Sequence, residues 1–105
     1  MCYSMIRGRV KEILSAEKHL STEARETLEH VILKFLEKME RLMEEEKITS
    51  EEDYRRFMNR MINLLYDDIE LVFKPDTPEL VYATHAAVKV FSRLDACLKE
   101  SIAWM

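Results

Sequence analysis

The sequence predicts an all-α protein: an antiparallel four-helix bundle with one shorter N-terminal helix and three long ones. Three observations carry this expectation. Apolar residues recur at three- and four-residue intervals along nearly the whole chain, the period of a helix that buries one face. The chain holds one glycine, Gly8, and two prolines, Pro75 and Pro78, too few turn formers for an all-β fold. Helix-start signals, hydroxyl residues followed closely by acids, stand at three well-spaced places.

The first helix is read from YSMIRGRVKEILSAEK, in which Tyr3, Ile6, Val10, Ile13 and Leu14 fall on one stripe. Gly8 sits inside it and weakens it by roughly 1 kcal/mol relative to alanine, since glycine surrenders more backbone freedom on ordering. The second helix starts at Ser21 or Thr22, either of which can accept a hydrogen bond from a free backbone N–H. Leu28, Ile32, Phe35, Met39 and Leu42 then form a stripe that Val31, Leu36 and Met43 widen beyond a coiled-coil seam into a bundle face. Leu33 is its apolar outlier.

The acidic stretch MEEEKITSEEDYRR, from Met43 to Arg56, reads as the end of one helix and the start of the next. Thr49 or Ser50 is the N-cap, and Glu51, Glu52 and Asp53 suit the positive end of the helix dipole. Glu44, Glu45 and Glu46 face the unfavourable end, with Arg41 and Lys47 as the nearest compensating cations. The spacing is unlike that of a calcium loop, which alternates acids around a central glycine.

In the third helix, Tyr54, Phe57, Met58, Met61, Leu65, Ile69 and Val72 form the buried face, flanked by Ile62, Leu64 and Phe73. It ends near Lys74, because the residue before Pro75 is pushed out of the helical region. TPEL then opens the fourth helix, with Thr77 as cap and Pro78 at the first helical position. Leu80, Ala83, Ala87, Val90, Leu94 and Cys97 form its stripe, widened by Phe91, Leu98 and Ile102. Ala83, Ala86 and Ala87 are small enough for a neighbouring helix to approach closely. Short connections make sequential helices antiparallel neighbours.

Residues 1–105 are the size of a single domain. The net charge of −4 and pI of about 5.4 disfavour generic nucleic-acid binding, which needs a basic face. The compact basic groups, Arg7, Arg9 and Lys11, and Arg55, Arg56 and Arg60, are small or balanced by acids. Cys2 and Cys97 are too few and too far apart for a disulfide framework or a zinc motif. No secretory signal, membrane-spanning run or lipidation motif is visible, so a reduced, soluble, cytoplasmic protein is expected. Glutamine is absent while Glu, Lys and Arg abound, a balance similar to that of thermophile proteins, although seven methionines and two cysteines run against it.

No constellation of catalytic or metal-binding type stands out. None of His19, His30 and His85 has a glutamate three residues earlier, as di-iron bundles require. Asp67 and Asp68 in YDDIE point about 100° apart on a helix and read as a solvated face. Met39, Met43, Met58 and Met61 gather near the connection of the second and third helices, where core filling is their commoner use. No cofactor or small-molecule ligand is expected.

RETLEH places Arg25 and His30 at a spacing that resembles the Arg-x4–6-His motif of the HEPN family of helical nucleases and nucleotide-binding proteins. The resemblance implies Arg25 acting on a phosphate and His30 as general acid or base, across a homodimer. The match spans six residues and opens the second helix, whereas the family's motif usually lies toward the end of its bundle. YSMIRGRVKEIL, LSTEARETLEHVILKFLEKM and ITSEED together resemble the core-histone pattern. Here the third helix is far longer, the segment before ITSEED is shorter, and the DNA-gripping basic residues are missing. That resemblance implies a dimerising handshake without DNA wrapping.

The function expected from these features is a non-enzymatic protein–protein interaction or regulatory role, with self-association into a homodimer. Leu33, Leu64, Val88 and Trp104 lie off the main apolar stripes and are the candidate interface residues, because large exposed apolar patches mark interaction sites. Trp104 lies in the apolar tail SIAWM.

Overall fold

Each long helix begins at a hydroxyl side chain that accepts a hydrogen bond from the backbone N–H three residues on: Ser21 from Ala24, Ser50 from Asp53, and Thr77 from Leu80. The choice between Ser21 and Thr22, and between Thr49 and Ser50, is settled by these bonds. The computed structural model describes residues 1–102, so the expectation placed on Trp104 lies outside the described residues. Five helices follow in order: α1 (Cys2–Arg7), α2 (Val10–Ser15), α3 (Thr22–Glu45), α4 (Glu51–Glu70) and α5 (Pro78–Ser101). Among the described residues there is no strand.

The N-terminal helix is divided in two. At Gly8–Arg9 the backbone stays right-handed, but the Arg9 N–H bonds to the Ile6 carbonyl at 2.9 Å, a tighter three-residue step. The stripe survives the break, and Tyr3, Ile6, Val10, Ile13 and Leu14 are all buried.

The third helix of the sequence reading ends at Glu70, before the expected Lys74. Its last N–H groups fold back on Ile69, with Val72 and Phe73 both donating to that carbonyl. The tightened turn advances the phase of the chain. Phe73 therefore enters the core at 4% exposure, while Val72, expected on the buried face, is 48% exposed. Asp76 adopts φ 61°, a left-handed conformation that Asp tolerates better than most residues. This turn lets the chain reverse before Thr77.

The cysteines correct a second expectation. Cys2 and Cys97 form a disulfide between α1 and α5, with Cα atoms 5.8 Å apart despite 95 residues of separation in sequence. Distance along the chain did not forecast distance in space, because α5 returns its end to α1.

One core gathers all five helices. Val10, Leu28, Met39, Ile69, Ala83, Ala87 and Leu94 are fully shielded. Complete burial of each larger aliphatic side chain stabilises the fold by roughly 1.5–3 kcal/mol. α1 and α2 both pack across α3 and α5, whereas α4 packs against α3 and α5 from the other side. The alanines at 83, 86 and 87 are buried, as their size invites. Ion pairs tie the surface: Arg7 to Glu40 at 3.1 Å, Lys38 to Asp68 at 3.0 Å, and Arg60 to Glu46 at 2.6 Å. The last answers the charge at the end of α3. That cation comes from α4, while Arg41 lines a cleft with Glu44.

Candidate interaction surface

Because α1 and α2 cover the seam between α3 and α5, the two flanks of α4 are left without a covering helix. Each flank carries a groove.

The groove between α4 and α5 has a volume of about 410 Å³. Its floor is Met58, Ile62, Tyr66, Val88 and Phe91, contributed by outward edges of the two wide apolar faces. Its rim carries two charges of each sign, Glu51 and Asp95 against Arg55 and Lys99. At one end the buried Tyr54 hydroxyl donates to the Asp95 carboxylate at 2.6 Å, and Lys99 pairs with the same carboxylate at 3.2 Å. Burial first, then the hydrogen bond to Asp95 and its negative charge, push the Tyr54 phenol well above its ordinary value of 10.0. The end of the groove is therefore closed by a neutral phenol bonded to Asp95.

The groove between α3 and the end of α4 has a volume of about 510 Å³. Val31, Leu71 and Val72 supply its apolar part, and Leu71 is 83% exposed. Its edge along α3 carries His30, Lys34, Glu37, Lys38 and Arg41.

The residues singled out from the sequence separate into different places. Val88 lines the α4–α5 groove. Leu33 and Leu64 are partly buried and packed against the core, on different helices. Arg25 donates from its guanidinium to the Glu17 carbonyl at 3.1 Å, closing the connection between α2 and α3, and lines a small cleft of about 140 Å³ with Lys11, Glu26 and Glu29. His30 is exposed in the α3–α4 groove. A five-residue step turns a helix by about 140°, so one chain does not bring Arg25 and His30 together.

Two other arrangements were not visible in the sequence. The side chain of Glu17 is nearly buried and lies 3.5 Å from His85 Nδ1. His19 stacks on Tyr82 with ring centres 4.6 Å apart. Both join the α2–α3 connection to α5, and no sequence periodicity marks them. Among the described residues, no group of three or more His, Cys, Asp or Glu side chains is placed to hold a metal ion, and no helix is long and apolar enough to cross a membrane. Tyr66 and Phe91 could have been found from the width of the α4 and α5 stripes. The exposure of Leu71 and Val72 follows from the early end of α4.

Comparison with protein families, with curated proteins and with solved structures finds no match to this chain.

Proposed function

We propose that this chain is a non-enzymatic interaction or regulatory protein that self-associates through the α4–α5 groove, in an antiparallel bundle. The observation that carries the reading is the composition of that groove. Aromatic and aliphatic side chains form the floor, as in the cores of protein interfaces. Its rim is charge-balanced, and a two-fold contact sets a surface against itself, so a rim with equal numbers of both signs can pair opposite charges. The antiparallel order is supported by cross-helix partners that run in opposite directions. Lys38 with Asp68 and Glu46 with Arg60 ascend α3 while descending α4, and Tyr3 with Met43 and Arg7 with Glu40 do so for α1 and α3. We infer a cytoplasmic location. The Cys2–Cys97 bridge corrects the reduced state expected with that location, since disulfides in that compartment are rare outside hyperthermophiles.

The test is the mass in solution by light scattering over about a hundredfold range of concentration, for the parent chain and for Val88→Glu. The expected result is a dimer that Val88→Glu converts to a monomer with an unchanged circular dichroism spectrum. A parent chain that stays monomeric throughout overturns the self-association. RNA cleavage that is lost in Arg25→Ala or His30→Ala would replace the reading with the nuclease.

A further inference from the structure

The second groove, between α3 and the end of α4, has a different chemistry, and we propose that it docks an amphipathic helix with acidic edges from a partner protein. Leu71 and Val72 stand 83% and 48% exposed at one side of it. They are adjacent, at the point where α4 gives way to the turn before Pro75, and the described residues leave most of Leu71 and about half of Val72 uncovered. Val31 adds apolar surface from α3.

The charges select the occupant. Lys34, Lys38 and Arg41 lie along α3, one to two turns apart, so they line a single edge. Glu37 stands on the same edge, between Lys34 and Arg41, and Asp68 faces it from α4, already engaged by Lys38 at 3.0 Å. The edge is left net positive on a chain whose net charge is −4. From His30 to Arg41 the edge extends roughly 17 Å, the length of about three turns of helix. A helix of that length with leucines on one face would cover Val31, Leu71 and Val72, and glutamates flanking the leucines would meet Lys34 and Arg41.

Two other occupants fit less well. A second copy placed by two-fold symmetry leaves the surplus positive charge unpaired here, unlike the balanced rim of the α4–α5 groove. A nucleic acid backbone would gain nothing from Leu71 and Val72 and would meet Glu37 and Asp68.

The probe is a synthetic, fluorescein-labelled helical peptide of about three turns, with leucines on one face and glutamates at its edges. Its control carries lysines in place of the glutamates. Fluorescence anisotropy is measured against the full oxidised chain. The expected result is saturable binding of the glutamate peptide, at least about tenfold tighter than the lysine peptide, weakened by added salt. Leu71→Ser and the double variant Lys34→Glu, Arg41→Glu should each lower affinity by about tenfold or more, with unchanged melting temperature and unchanged mass. Equal affinity for the two peptides, no binding, or binding indifferent to these substitutions overturns the proposal. So does a change of oligomeric state in Leu71→Ser, which would make the occupant a second copy. Displacement of the peptide by a single-stranded oligonucleotide would make it a nucleic acid.

Discussion

The seam where α1 and α2 lie across α3 and α5 differs from the two flanks of α4, although all are built from amphipathic helices of the same kind. The seam is closed. Its short helices bury every residue of their stripe, Tyr3 donates to the Met43 sulfur, Arg7 pairs with Glu40, and the Cys2–Cys97 bridge fastens α1 to α5. The flanks of α4 are open, and Ile62, Tyr66, Leu71, Val72 and Val88 keep apolar surface in contact with solvent. The lesson is that the width of an apolar stripe does not decide whether it is buried. The number of neighbours does. α3 and α5 have helices on several sides, whereas α4 borders those two.

A pair of truncations separates the two regions most sharply. Leu14, 1% exposed in the seam, leaves a cavity when removed, and Leu14→Ala should cost about 2–5 kcal/mol in urea denaturation. Leu71→Ala on the open flank should fall within about 0.5 kcal/mol of the parent. Equal costs would mean that the two regions are not packed differently.

Reduction of the bridge comes next. It closes nearly the whole chain into a loop, and its loss should lower stability by about 2–4 kcal/mol through the greater freedom of the unfolded state. Thermal melts with and without reductant, repeated on Cys97→Ser, check this. A parent melt indifferent to reductant would show that the seam holds without it.

Tyr54 tests the link between core and groove. Tyr54→Phe should cost about 1–3 kcal/mol, because it removes the donor to Asp95. The phenol's folded value lies above its ordinary 10.0, so the stability it contributes is complete below pH 10 and is lost as pH rises beyond it. Tyr3 shifts in the same direction, chiefly through burial. Melts between pH 9 and 11 should therefore decline less steeply in Tyr54→Phe than in the parent.

Asp53 gives the smallest effect and the opposite sign. The N–H and hydroxyl of Thr49 both donate to its half-exposed carboxylate, and the bond from the Thr49 backbone is the foremost cause of a value below the ordinary 3.8. Its contribution is present above pH 3.8 and is lost as pH falls through the lower folded value. Asp53→Asn should make the melting temperature less sensitive to acid below pH 3.8, with little change near neutrality.

The candidate surface was legible in part. Val88 was singled out by its place off the stripe, and it does line a groove. Leu33 and Leu64, singled out by the same reasoning, are partly buried like Val88 and pack against the core. A helical phase carried on to Lys74 assigns Val72 to the core and passes over Leu71, whereas α4 ends at Glu70. Arg25 and His30 are close in sequence but line separate clefts.

What the sequence by itself determined is local. Stripe period, hydroxyl caps and a scarcity of glycine and proline specify helices and their starts, since each depends on residues within a turn or two. The pairing of Cys2 with Cys97, the charge of Arg60 returned to Glu46, the Glu17–His85 contact and the open flanks of α4 were settled by the packing of the helices. They depend on which helix lies beside which. A helical period encodes how much of a face is apolar, but not which neighbour will cover it.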